Sequence, residues 1–294
     1  MLKKLFILIF IFTLVPVFFV CASTDSVKKV QTVENTKPIK ILLVPGHDNE
    51  TVGSQFKLVK ETDMNLAVAT RIFDLLKKDK RFEVYITRDN SSEIVPGEYT
   101  KEFSDYFNQH RDEIIAFKEE AKKTMQENIN KGGFVKKVNT PHHSVSQDVS
   151  VRLYGVNKWA NDNKIDAVIH IHFNDNVRAN RNLPGKFKGF NIYVPDSQFL
   201  NAKGSMSLAV EVFKQLNKKY ITSTYEPEKG GLTTEQKLIA IGANNTLSAS
   251  VRSILIEYGY IYEKKFRKKV SREQAYKNMA SLTALGIKNY FLNK

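Results

Sequence analysis

Cysteine is almost absent from this chain, which has one, Cys21, in 294 residues. A single cysteine cannot form a disulfide within the chain, and it excludes a zinc site built from several thiolates. The sequence also lacks a local His-Glu-x-x-His motif, the most recognisable signature of a zinc hydrolase. Stability must therefore come from the hydrophobic core, and any metal site must combine residues that are distant in sequence.

The first segment has little charge and too few apolar residues to be an ordinary membrane span. Its apolar run covers residues 5–20, follows Lys3 and Lys4, and contains a proline, whereas a bilayer crossing takes roughly 20 apolar residues. We interpret residues 1–22 as a signal peptide or N-terminal membrane anchor and residues 23–38 as a linker. Cys21 is either a lipid attachment site or an incidental residue of a discarded peptide. The protein is therefore predicted to be exported, to the periplasm, cell wall or extracellular space.

Positive charge dominates the chain, with 45 Lys and Arg against 31 Asp and Glu and a formal net charge of +14. An exported protein of this charge is suited to an anionic partner such as a cell-wall polymer or a lipid surface. Nucleic acid is the usual alternative, but the export signal and the lack of a recognisable nucleic-acid motif argue against it. We expect membrane contact only through the N-terminal segment.

Beyond residue 38 the predicted strands alternate with predicted helices. Apolar residues recur at three-to-four spacing in the helices, whereas the strands at 39–44 and 165–173 are apolar without alternation, which indicates burial on both faces. This pattern predicts an α/β fold with three layers, a largely parallel twisted sheet with helices on both faces, in one domain over 39–294. The other predicted strands are 83–87, 189–194 and 253–258, and the predicted helices are 63–78, 149–161, 205–220 and 272–290.

Residues 91–147 interrupt this alternation. Apolar residues at helical spacing from Phe103 to Met125, followed by Gly132 and Gly133, predict one long amphipathic helix or a helical hairpin. The insertion is either a surface decoration or a lid or regulatory helix over an active site.

Three predicted strands end in groups suited to metal binding or catalysis. The segments ILLVPGH (41–47) and VIHIH (168–172) end in His47 and His172, and ILIE (254–257) ends in Glu257. Glu61 lies at the expected start of a helix, 14 residues after His47. Two histidines and one carboxylate that leave a position open for water are a common catalytic zinc set.

These segments together resemble the zinc-dependent N-acetylmuramoyl-L-alanine amidase family (amidase type 3), which cleaves glycan from peptide in the bacterial cell wall. The segments that carry the resemblance occur in the family's order: LVPGH (43–47), KE (60–61) with NLAVA (65–69), VYITRD (84–89), VIHIHFN (168–174), KGFNIY (188–193) and SILIEYG (253–259). The resemblance covers the chain after residue 38 except for the insertion.

The resemblance implies one zinc ion per chain, with His47, Glu61 and His172 as its ligands. It also implies that Glu257 is the catalytic carboxylate and that peptidoglycan is the substrate. Asn174, in the His-x-Asn segment, and Arg152, in the helix before that strand, are implied as substrate-binding or supporting residues.

The chain departs from the family at several positions. Asp48 and Asn49 follow the first histidine where the family usually has two glycines, and Tyr260 begins a different segment after Gly259. The family often has serine at the position of His170, which shares a strand face with His172 by alternation. His170 is a supporting group, a rival ligand, or a residue packed beside the site.

Two other functions remain open. The same ligand set would serve another zinc peptidase acting on wall peptides, and a non-enzymatic wall-binding protein would use the basic surface alone. A protein activator acting on the insertion is a further hypothesis. His142 and His143, after a proline in the insertion, are expected to lie in an exposed loop, with metal binding as the alternative.

Overall fold

Strand β1 (Ile39–Pro45) divides its side chains between two separate hydrophobic clusters. Ile41 and Leu43 belong to one cluster, and Leu42 and Val44 belong to the other. Because successive side chains of a strand point to opposite faces, such a strand must lie inside a layered fold. The computed structural model, which describes residues 37–91, 97–137 and 146–293, has this arrangement.

The remaining strands complete a six-stranded sheet and a small separate ribbon. They are β2 (Gln55–Phe56), β3 (Val59–Lys60), β4 (Phe82–Ile86), β5 (Ala167–Asn174), β6 (Asn191–Pro195), β7 (Leu232–Glu235) and β8 (Arg252–Tyr260). The sheet order is β4-β1-β5-β8-β6-β7, and β2 pairs with β3. Strands β4, β1, β5 and β8 are parallel, whereas β6 runs antiparallel to β8 and β7 runs parallel to β6.

Helices cover both faces of this sheet. They are α1 (Glu61–Lys77), α2 (Lys101–Gln109), α3 (Arg111–Asn130), α4 (Gln147–Asp162), α5 (Ala202–Leu216), α6 (Lys264–Arg267) and α7 (Lys269–Leu292). Helices α1, α5 and α7 pack on the face that contains Ile41 and Leu43, and α2, α3 and α4 pack on the face that contains Leu42 and Val44. The predicted three-layer α/β fold is confirmed.

Strand β7 and the antiparallel direction of β6 were not predicted. Strand β7 lies at the edge of the sheet and buries little apolar surface, because Leu232 is its one large apolar residue and its neighbours are threonines. A short edge strand of this kind lacks the apolar run that identifies the interior strands.

The insertion forms two consecutive helices, α2 and α3, which meet at His110. Phe103, Phe107 and Ile114 are buried in the same cluster as Trp159 of α4. The helices are therefore part of the hydrophobic core on this face of the sheet.

The chain that follows α3 is held against the ends of β6 and β7. Gln198 accepts a hydrogen bond from the Val135 backbone N–H at 2.8 Å, and Gln236 accepts one from the Lys137 N–H at 2.9 Å. The Lys137 ammonium lies 2.6 Å from the buried carboxylate of Asp196. These contacts fix the returning end of the insertion to the sheet.

Some predictions fall outside the described residues. The signal or anchor at 1–22, its Cys21, most of the linker, and the pair His142 and His143 lie there, so they stay predictions. In the described part of the chain, no helix has both the length and the apolar character needed to cross a membrane.

The surroundings of two helical glycines, Gly286 in α7 and Gly204 in α5, predict an unequal response to alanine. A Cβ on Gly286 would lie 2.6 Å from the Val212 Cα, which is backbone, whereas a Cβ on Gly204 would lie 3.1 Å from the flexible side chain of Arg252. We expect G286A to lower the free energy of unfolding by about 1–3 kcal/mol. We expect G204A to leave it unchanged or to raise it by up to about 1 kcal/mol, through helix propensity. Urea unfolding of both variants checks this, and equal stabilities would contradict it.

Candidate active site

The carboxyl ends of three neighbouring parallel strands bring the predicted catalytic groups together. His47 lies two residues after the end of β1, His172 lies near the end of β5, and Glu257 lies near the end of β8. In the β5–β8 pairing, His172 and Glu257 are register partners. Because parallel strands place their carboxyl ends at one edge of the sheet, residues far apart in sequence meet there.

Three of the predicted residues form a compact group of donor atoms. Nε2 of His47 lies 3.2 Å from Oε1 of Glu61, and Nδ1 of His172 lies 3.0 Å from the same oxygen. One donor atom from each residue lies within 4.8 Å of the others, so the three could hold a metal ion. Two imidazole nitrogens and a carboxylate oxygen are ligands that suit zinc.

Glu61 is fixed by backbone groups as well as by the two imidazoles. Its Oε2 accepts a hydrogen bond from the Ser54 N–H at 2.8 Å, and its Oε1 accepts one from the Phe173 N–H at 3.3 Å. It is the first residue of α1, where the helix dipole favours a negative charge. Burial alone would raise the pKa of the Glu61 carboxyl, but the hydrogen bonds and charges of His172 and His47 hold it well below its usual range.

The pKa values of the two imidazoles shift in opposite directions. Burial lowers the pKa of His172 more than the neighbouring Glu61 raises it, so this ring is held in the neutral form that a metal requires. Burial also lowers the pKa of His47, but there the hydrogen bond and charge of Glu61 prevail and raise it above its ordinary value.

Two glycines leave the space that the imidazoles occupy. A Cβ on Gly46 would lie 2.1 Å from Cε1 of His172, and a Cβ on Gly53 would lie 2.5 Å from Cδ2 of His47. Gly53 also has a φ of +71°, which favours glycine. His47 itself has a φ of 62°, an uncommon conformation for a residue with a side chain, and one that is often found at functional sites.

Two buried side chains, Asn65 and Arg88, stabilise the turn that carries His47, and the sequence analysis assigned neither of them a role. The Gly46 carbonyl accepts hydrogen bonds from Asn65 Nδ2 at 2.9 Å and from an Arg88 guanidinium nitrogen at 3.1 Å. Arg88 also donates to the carbonyls of Pro45 and Gly97 and is 1% exposed. Both residues lie in segments that resemble the family, but the sequence pattern gave no sign of their contacts.

Glu257 stands apart from the three donor residues. Its Oε2 is buried and accepts no hydrogen bond from the described residues. Burial, and then the negative charges of Glu61 and Glu228, raise the pKa of the Glu257 carboxyl well above its ordinary value. A carboxyl group in such surroundings is suited to accepting and returning a proton near neutral pH.

An apolar cavity of ≈ 240 Å³ opens beside His47 and His172. Its walls are mainly apolar side chains of α4 and of the 238–240 segment, and Tyr99, Arg152 and His170 also line it. Helices α2 and α3 contribute no residue to its lining. Among the described residues, therefore, α2 and α3 form no part of the cavity wall, and a role of the insertion as a lid stays a prediction.

Arg152 is held at this cavity by two carboxylates. Its guanidinium lies 3.1 Å from Asp48 and 3.3 Å from Glu50. Asp48 in turn accepts hydrogen bonds from the backbone N–H and the hydroxyl of Thr51. The residue that replaces the family's usual glycine after the first histidine thus anchors the Arg152 side chain.

His170 is excluded from the donor group in this structure but faces the same cavity. It is 1% exposed, and its Nε2 has no hydrogen-bond partner among the described residues. Burial, and then the neighbouring His172, lower its pKa to about 3, so the ring is neutral. This environment fits a polar group in the wall of the site better than a rival ligand.

Asn174 contacts a carboxylate that sequence reasoning missed. Its Nδ2 donates to Oε1 of Glu228 at 2.7 Å, and Tyr193 donates to the same oxygen at 2.8 Å. Ser223 and Tyr260 donate to the other oxygen of Glu228. Glu228 lies in a short 3₁₀ turn, Glu226–Glu228, where no periodic pattern could identify it.

Solved amidases share this fold at low sequence identity. The CwlD amidase from Clostridioides difficile, solved in complex with the GerS lipoprotein, aligns with 87% of this chain and 100% of its own, at 17% identity and a TM-score of 0.56. The catalytic domain of CwlV, an N-acetylmuramoyl-L-alanine amidase from Bacillus (Paenibacillus) polymyxa var. colistinus, covers 87% of this chain and 99% of its own, at 17% identity and a TM-score of 0.52. Ami1 from Mycobacterium smegmatis covers 87% of this chain and 98% of its own, at 15% identity and a TM-score of 0.53.

Comparison of the amino-acid sequence with family models identifies the family to which the chain belongs. Proteins with curated descriptions gave no match to the chain. A family model described as N-acetylmuramoyl-L-alanine amidase matches residues 41–289, which is nearly the whole described domain. On that match, the chain belongs to the N-acetylmuramoyl-L-alanine amidase family Amidase_3.

Proposed function

We propose that this enzyme hydrolyses the amide bond between N-acetylmuramic acid and L-alanine in peptidoglycan, with one zinc ion held by His47, Glu61 and His172. The observation that carries the proposal is the group of two imidazoles around one buried carboxylate oxygen, in a chain of the amidase family. The donor set fits zinc, and His47 and His172, whose side chains are 31% and 19% exposed, both line the cavity.

The proposed reaction needs one proton carrier from the chain. A bound zinc ion would supply Lewis-acid polarisation of the scissile carbonyl and would lower the pKa of a water molecule. Glu257 takes a proton from the attacking water and gives it to the alanine nitrogen as the C–N bond breaks. The products are the carboxylate of the muramic acid lactyl group and the free amine of L-alanine. No serine or cysteine nucleophile takes part.

The other predicted residues surround the reacting groups. Arg152 and His170 line the cavity, and Asn174 lies two residues beyond His172 on the same strand. In this proposal they contact the glycan or the peptide, whereas the apolar walls take up methyl groups of the substrate.

The proposed setting is the cell wall, where the exported enzyme takes part in wall remodelling or separation of daughter cells. The strongly basic chain suits an anionic wall. A protein activator that acts on the insertion is also part of the proposal, because the insertion is joined to the 235–237 segment beside the cavity. The solved CwlD structure contains a lipoprotein partner, which shows a protein complex for that amidase.

Removal of the proton carrier should abolish turnover without loss of metal. We expect E257Q to lower kcat by about 10²–10⁴-fold, the usual contribution of general acid–base catalysis. The zinc content should stay at about one ion per chain, since three donor residues remain. Release of L-alanine amino groups from purified wall measures the activity and separates an amidase from a peptidase, which would expose other amines. E226Q, at an exposed position, is the control, and an active E257Q would refute this role.

Removal of a ligand should abolish both metal binding and activity. We expect H47A to lose bound zinc and turnover together, because two protein ligands hold the ion poorly. H110A changes a histidine at the junction of α2 and α3, far from the donor group in sequence, and should keep both. Metal analysis after gel filtration gives the zinc content. Retention of one zinc per chain in H47A would contradict the ligand set.

The space left by the missing side chain of Gly46 should be required for tight metal binding, as the ligands themselves are. We expect G46A to displace the His172 ring, since its new Cβ would lie 2.1 Å from Cε1. Mutation of the groups that orient metal ligands typically weakens metal affinity by about 10–100-fold, and we expect a loss of this size. Titration with a competing chelator measures the affinity, and circular dichroism shows that the fold is kept. G204A is the matched control, and an unchanged affinity in G46A would show that the ring has another position for binding.

A further inference from the structure

Glu228 is a buried carboxylate whose hydrogen-bonding capacity is filled by donors. It is 2% exposed. Asn174 and Tyr193 donate to Oε1, and Ser223 and Tyr260 donate to Oε2. Since a carboxylate offers about four lone-pair sites, these contacts leave none for another ligand. Glu228 therefore acts on its neighbours and does not itself bind substrate.

The most constrained neighbour is the Asn174 carboxamide. A carboxylate that only accepts hydrogen bonds requires the NH₂ end of the amide to face it, which turns Oδ1 away. Asn174 is half-buried, and its Oδ1 accepts no hydrogen bond from the residues that the structure describes. The side chain thus offers an oriented acceptor two residues beyond the proposed ligand His172.

The hydrogen bonds of Glu228 connect three strands, and two of them carry the proposed catalytic groups His172 and Glu257. Its partners come from β5, β6 and β8. Beyond the register pair His172 and Glu257, the next pair is Asn174 and Tyr260, so β8 contains one extra residue here. This bulge includes Gly259, whose φ of +146° and close contact with Glu263 favour glycine. The bulge places the Tyr260 hydroxyl at Glu228.

We propose that Glu228 is a positioning residue that holds the Asn174 carboxamide with Oδ1 presented to the substrate, where it accepts an N–H group. The donor is an amide N–H of the muramoyl-peptide, either in its acetamido group or in its peptide. The proposal rests on the proposed function and adds a selectivity to it: the site requires an N–H donor at this point.

Three variants separate an oriented acceptor from a structural contact. N174A removes the acceptor, and N174D places a second carboxylate 2.7 Å from Glu228. E228Q/N174D reverses the pair: the glutamine NH₂ donates to the aspartate, and a carboxylate oxygen is again presented to the substrate. We expect N174A and N174D to lower kcat/KM at least about tenfold, as misplaced contacts commonly do. The double variant should recover to within about threefold of the wild type.

The measurements are kcat/KM for release of L-alanine amino groups from purified muramoyl-peptide, zinc content and urea unfolding. Zinc content should stay the same in all variants, because no ligand is changed. E228L should lose activity as N174A does, and E226L, which alters an exposed residue of the same turn, should not. Should E228L fail to fold, N174A and the double variant still decide the matter.

Two results would overturn the proposal. One is N174A with the kcat/KM of the wild type. The other is E228Q/N174D with no more activity than N174D while it folds and binds zinc normally. A wild-type enzyme that releases no L-alanine amine would instead refute the proposed function, so the two failures are distinct.

Discussion

One oxygen of Glu61 lies within hydrogen-bonding distance of both imidazoles, and the rest of the site depends on this shared contact. A buried carboxylate is stable only when charges or hydrogen bonds compensate it. Ser54, Phe173 and the start of α1 provide that compensation, so the loop before α1 and the end of β5 must both lie close to it. The two glycines beside the rings follow from the same requirement, since a side chain at either position would separate the donors.

The direction of the strands determines which residues can reach this edge of the sheet. Strands β1, β5 and β8 deliver His47, His172 and Glu257 at their carboxyl ends. Because β6 runs antiparallel to β8, it starts at this same edge. The 3₁₀ turn before β7 therefore also lies there and adds Glu228, whose negative charge contributes to the raised pKa of Glu257. A fully parallel sheet would place this turn at the opposite edge.

The sequence predicted the parts of this structure that depend on local pattern. Apolar runs predicted strands at β1, β5 and β8, and the family resemblance implied that His47, His172 and Glu257 belong to one site. Contacts that depend on three-dimensional packing were not predictable. Glu228 lies in a turn that has no periodic pattern. Arg88 has the sequence context of an ordinary loop residue, and only the structure shows that it is buried against the turn at Gly46. The packing of α2 and α3 into the core likewise depends on α4, 17 residues beyond the end of α3.

The left-handed backbone conformation of His47 lowers the stability of the fold at a position where the proposed function requires a side chain. Such a conformation costs a residue with a side chain on the order of 1–3 kcal/mol, which glycine would avoid. Glycine at position 47 would thus relieve strain in the turn and remove an imidazole from the metal group at the same step. Directed evolution of this chain for heat resistance alone would favour loss of the site, and only a screen that also scores turnover would retain it.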